Sequence, residues 1–148
     1  MYIGKQYGSI YLAIFSDTIS TSDAETFGNE IQTLAELEEE IYLITLPVNV
    51  SSFPTGINSI LQSLSAFKSA TGRVSRVYGL RYSPIMTFIA NITTQILKIK
   101  TNTVEAKDIE ELFEILEKEA TLYPKLQASV KYIPEIKEQI SALSKLVG

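Results

Sequence analysis

Residues 41–50 read Ile-Tyr-Leu-Ile-Thr-Leu-Pro-Val-Asn-Val, apolar at both odd and even positions. A strand sends successive side chains to opposite faces, so this one has to be covered on both sides, the situation of a central strand in a sheet sheathed by helices. Pro47 has no amide proton to give to a ladder, so regular pairing is expected to stop near it. The rest of the fold has to supply neighbours for this strand and two layers to cover it.

The flanking segments do so in alternation. Ser9–Phe15 is a β-branched and aromatic run with turn residues at Gly8 and at Ser16-Asp17, and residues 2–7 precede it as a hairpin partner joined through Gly8. Ser22 and Glu25 stand at capping-box spacing before Ala24, Phe27, Ile31, Leu34 and Leu37, whose three- and four-residue intervals predict a first helix. After the polar turn 51–56, Ile57, Ile60, Leu61, Leu64 and Phe67 form a second helical stripe closed by Gly72. Val74–Tyr82 predicts another strand, and Ser83-Pro84 is a helix start ahead of Ile85, Phe88, Ile89, Ile92 and Ile96. Lys98–Val104 offers a last short strand, and Asp108 caps a helix with Ile109, Leu112, Phe113 and Leu116 on its apolar face. Pro124 ends or bends that helix, and Pro134 opens a final one carrying Ile136, Ile140, Leu143 and Val147.

Helices alternating with buried strands imply an α/β architecture: a mixed sheet of about five strands, largely parallel in the middle, packed with about four helices, plus an extra C-terminal amphipathic helix. An isolated helix of that length is marginal in water, so its stripe has to cover either its own domain or a second subunit.

Composition narrows the chemistry. The 148 residues include no His and no Cys, which excludes imidazole acid–base catalysis, thiol nucleophiles, disulfides and zinc sites with those ligands. With 17 acidic against 13 basic residues, the chain is not a general binder of phosphate backbones, and nucleic acid is not an expected partner. No window approaches the roughly 18 uninterrupted apolar residues of a membrane span. No secretion signal is legible, so a cytoplasmic location is expected. Glu36–Glu40 and the glutamates from Glu105 to Glu119 read as solvated helix faces; no metal site and no cofactor is expected.

All three arginines fall close together, at Arg73, Arg76 and Arg81. On a regular strand Arg76 shares the face of Val74, while Arg73 and Arg81 share the other, so they do not form one cluster. Snorkelling, or pairing with the glutamates of the first helix, accounts for them. Arg81, near the C-terminal end of its strand and beside the Ser83 helix start, is the better binding candidate, since open α/β sheets hold ligands at that edge. Backbone amides at the Ser83 and Thr55-Gly56 helix starts suit an anion there, but no glycine-rich phosphate cradle is present. Tyr2, Tyr7 and Tyr11 crowd the first hairpin and stabilise the sheet by cross-strand contact, or form a docking surface if they are exposed.

The segments Asp17–Glu25, Ile41–Gly56, Val77-Tyr78-Gly79 with Ser83-Pro84, and Asp108–Leu116, in this order, resemble the STAS domain of bacterial anti-sigma-factor antagonists, in its divergent SpoIIAA-like, STAS/SEC14-like branch. The resemblance implies a STAS-like domain over residues 1–122, with 123–148 a C-terminal helical extension. It also implies a non-enzymatic module that binds a protein partner, an anti-sigma-type kinase among the candidates. The family's regulated serine, usually preceded by aspartate, corresponds to Thr55, where this chain has Pro54 in front. Thr55 is thereby a candidate phosphosite, and hydroxyl capping of the helix start is the alternative role for it and for Ser52.

The expected recognition surface consists of Ser51, Ser52, Thr55, Gly56 and Asn58 with Arg81 and Ser83. The alternative is a carrier of a small apolar ligand, as the SEC14-like label implies, which needs a cavity walled by Ile57, Leu61, Phe88 and Ile92. Self-association through the last helix is the further expectation.

Overall fold

The first two strands, β1 (Tyr2–Tyr7) and β2 (Ile10–Thr18), form an antiparallel hairpin with Tyr7 opposite Ile10. Gly8 turns the chain with φ of +63°, a conformation that costs a side-chain-bearing residue steric energy. Here the chain enters a five-stranded sheet of order β1-β2-β3-β4-β5, whose remaining strands are β3 (Ile41–Ser52), β4 (Val74–Leu80) and β5 (Thr103–Ala106). β2 to β5 run parallel to one another, so the sheet is mixed and mostly parallel. These features come from a computed structural model, which describes residues 1–37, 40–52, 74–81 and 103–147.

Both faces of the sheet are covered, as the all-apolar run of β3 requires. Helix α1 (Thr21–Leu37) lies on one face, where Phe27, Ile31 and Leu34 meet Tyr11, Ala13, Phe15, Leu43 and Val77. Helix α2 (Ile109–Glu119), the short α3 (Pro124–Ser129) and α4 (Ile133–Val147) cover the other. There Leu112, Leu116, Leu126, Ile133, Ile136 and Ile140 pack against Leu12, Ile44 and Tyr78. Alternate residues of β3 serve the two cores: Leu43 belongs to the first, Tyr42 and Ile44 to the second, and all three are at most 1% exposed.

Among the described residues there are three helices of more than two turns, α1, α2 and α4, where the sequence predicts about four plus an extra one. The expected helices at 57–72 and 84–97 lie outside the described residues, as do the proposed cavity walls Ile57, Leu61, Phe88 and Ile92. Asp108 caps α2 as expected, accepting a hydrogen bond from the Glu111 amide at 2.8 Å. The cap of α1 sits two residues earlier than the spacing suggested. Ser20 and Asp23 exchange bonds, the Ser20 amide to Asp23 Oδ2 at 2.9 Å and the Asp23 amide to Ser20 Oγ at 3.0 Å. Leu37, counted with the buried stripe, is 74% exposed at the end of α1.

Pro47 acts on one neighbour only. Pairing of β3 with β4 ends at Ile44–Tyr78, whereas pairing with β2 passes through Phe15–Pro47 to Thr18–Ser52 after a register shift. The C-terminal segment is tied to the hairpin by a buried polar node. Ser129 Oγ accepts the Ser9 amide at 2.9 Å and lies 2.9 Å from Ser9 Oγ, which donates to the Lys125 carbonyl at 2.9 Å.

Candidate functional site: the strand-end edge of the sheet

Because β2 to β5 are parallel, their C-terminal ends emerge along one edge, at Thr18, Ser52, Leu80 and Ala106. This is the edge where a parallel sheet leaves backbone groups and loops free to meet a ligand. Of the expected recognition residues, Ser51 and Ser52 are the last two of β3, and Arg81 is the first residue after β4. Arg81 is exposed and donates its amide to the Ala106 carbonyl at 2.6 Å, which fixes its backbone against β5. Thr55, Gly56, Asn58 and Ser83, and with them the candidate phosphosite, lie outside the described residues.

The edge is stepped. Counting on from Ile44–Tyr78, Arg81 is level with Pro47; Pro47 and Ser52 stand opposite Phe15 and Thr18, so β3 projects three ladder positions, roughly 10 Å, beyond it. On its other side Ser52 stands opposite Thr18, next to the corner that leads from β2 into α1. That corner holds a feature no periodicity reveals: exposed Asp17 adopts φ of +57°, in the left-handed region that an aspartate occupies at a steric cost. The only signal in the sequence is the turn chemistry of Ser16-Asp17.

Arg76 is placed differently from its expected role. Val74 pairs with Ile41 but Arg76 with Tyr42, so one extra residue, Ser75, is accommodated in β4. Such an irregularity inverts the alternation. Val74 and Val77 consequently face α1, while Arg76 turns with Tyr78 to the opposite side. Its partner is Glu119 at the end of α2, with Nε 2.5 Å from Oε1, and not a glutamate of the first helix. Arg76 also lies over the Tyr123 ring and donates to its hydroxyl at 3.2 Å, and Tyr78 donates to Glu119 at 3.2 Å. Burial opposes the guanidinium charge, but Glu119 and the surrounding phenols outweigh it and raise the pKa of Arg76. This cluster fastens α2 to the sheet and stands away from the strand-end edge.

A second polar cluster lies under α1. Tyr2 Oη donates to Glu30 Oε2 at 2.6 Å and lies 2.6 Å from Tyr11 Oη, which donates to the same carboxylate oxygen. Gly4 makes room for it: a Cβ there would fall on both phenols and on the carboxylate. Burial, then the hydrogen bond to Glu30, drives the pKa of both tyrosines well above the ordinary phenol value, so both keep their protons far beyond neutrality. Crowding of Tyr2 and Tyr11 is visible in the sequence, but Glu30 as their shared acceptor is not. Tyr7 points to the other core, against Tyr132.

Among the described residues no group of three or more acidic side chains is placed to hold a metal ion, and no helix is long and apolar enough to cross a membrane.

Comparison with known proteins gives no matching family model and no matching curated protein. Among solved structures, the chain has the fold of the anti-sigma factor antagonist SpoIIAA in its unphosphorylated form. The TM-score is 0.50 at 13% identity, over 79% of this chain and 98% of that chain. The likeness therefore spans nearly all of the other protein and leaves about a fifth of this chain beyond it.

Proposed function

We propose that this chain is a non-enzymatic, cytoplasmic regulatory module that binds a protein partner through the 51–58 loop and helix start, with Arg81 and Ser83 completing the surface. The observation that carries the reading is the fold likeness to SpoIIAA, an antagonist of an anti-sigma factor, together with the position of Ser51, Ser52 and Arg81 at the strand ends. In this reading residues 1–122 form the module, and 123–148 are an extension packed on the sheet face opposite α1. The described apolar residues of α4, Ile133, Ile136 and Ile140, are buried in the chain's own core. A homodimer through the last helix would form on the surface of that helix that these residues leave free. Thr55 is the candidate switch: a phosphate added at a helix start brings negative charge to the recognition loop and changes which partner docks.

Affinity capture from the source cell, with wild-type and Thr55→Glu baits, tests the reading. The expected outcome is a protein partner, an anti-sigma-type kinase among the candidates, that the wild type retains and the Thr55→Glu bait loses. Identical partner sets would reject a charge switch at this loop, and no specific partner for either bait would reject the module itself.

A further inference from the structure

The outer edge of β1 lies apart from the strand-end loops. β1 is the terminal strand of the sheet. Met1 and Ser16 exchange both backbone hydrogen bonds, at 2.6 and 2.8 Å, so they form a bonded pair of the hairpin ladder. Bonded and non-bonded pairs alternate along an antiparallel ladder. Ile3, Lys5 and Tyr7 therefore bond to β2, while the amides and carbonyls of Tyr2, Gly4 and Gln6 point off the sheet. Among the described residues no strand pairs with this edge.

Beside those groups runs an open groove of about 370 Å³ between β1 and α1, with Gly4 and Gln6 on one wall and Glu30, Thr33 and Leu37 on the other. Glu30 is the acidic residue of its helical wall, beside the neutral Asn29 and Thr33. α1 carries Asp23, Glu25, Glu30 and Glu36 and no basic residue. Both phenols donate to one oxygen of Glu30, and among the described residues no cation pairs with this half-buried carboxylate. Exposed Leu37 adds an apolar contact at one end. Lys5 also lines the groove, while its ammonium lies over the Tyr7 ring on the opposite face.

We propose that an extended, basic segment of a partner protein adds as a sixth strand to β1, with a Lys or Arg side chain reaching Glu30 in the groove. Main-chain bonds to Gly4 and Gln6 supply register, and the acidic helix selects the charge. An exposed edge strand is a ready template for such pairing.

Fluorescence anisotropy of the full chain with a labelled decapeptide of alternating Lys and Val tests this. Saturable binding is expected, weakened about tenfold by Glu30→Gln and lost when Glu replaces Lys in the peptide. N-methylation of one alternate set of peptide residues should abolish binding while methylation of the other set leaves it, because a strand bonds its neighbour through alternate residues. Amide exchange at Gly4 and Gln6 should slow when the peptide is bound. Equal binding of both methylated peptides, or unchanged exchange at those two amides, would overturn the proposal. So would protection of the two amides by self-association without any peptide. The peptide arms stand even if Glu30→Gln perturbs folding.

Discussion

At Gly8 two constraints coincide. The residue holds φ of +63° at the hairpin turn, and a Cβ built there would lie 2.5 Å from Ser129 Oγ. Gly8→Ala thus strains the backbone and pushes against the hydroxyl that binds Ser9. A loss of about 2 kcal/mol in unfolding free energy is expected, read by chemical denaturation. An unchanged midpoint would show that the turn relaxes freely. Single positions also mark where local reading succeeds and fails. Gly8 was legible as a turn because its neighbours are strand-formers. The side chosen by Arg76 was not, because one accommodated residue, Ser75, inverts a parity that is otherwise certain. No local pattern announces that irregularity; it is set by the register of β3 against β4.

Strands and helices were legible wherever the apolar period was clear, and their ends were not. Two hydroxyl–acid pairs with the same spacing, Ser20/Asp23 and Ser22/Glu25, compete for the start of α1. The earlier one wins: β2 runs on to Thr18, and the helix then has to begin at Thr21. For the last helix, the sequence left open whether its stripe covers its own domain or another subunit, and packing decides for the chain's own sheet. Ile136 is fully buried among the residues of the second core. Ile136→Ala is expected to cost about 3 kcal/mol through lost burial and the cavity left behind. Deleting residues 131–148 removes Ile133, Ile136 and Ile140 from the second core, so the truncated chain should lose its cooperative unfolding transition. A truncated chain that melts as sharply as the full one would contradict this packing.

For the molecule as a whole, four of the seven described tyrosines, Tyr2, Tyr11, Tyr42 and Tyr78, hold their protons above the ordinary phenol range, two under α1 and two on the opposite face. Burial is the largest cause in each, followed by a carboxylate neighbour: Glu30 for the first pair, Glu40 for Tyr42 and Glu119 for Tyr78. With the folded pKa above the unfolded one, stability is undiminished below about pH 10. It falls as pH rises further, because the unfolded chain releases protons that the folded chain retains. Absorbance at tyrosinate wavelengths should therefore rise in two stages, the second coinciding with alkaline unfolding. All phenols ionising together while the fold persists would refute the assignment. Apolar period and composition were enough to establish the α/β class, the doubly covered central strand and the excluded chemistries, since both are properties of neighbouring residues or of their sum. Packing in three dimensions set the rest: Glu30 gathers two phenols, Arg76 meets Glu119, β3 projects past Arg81, and among the described residues no strand pairs with the outer edge of β1. Those relations join residues distant in the chain, and strand register and helix packing, which no local pattern carries, bring them together.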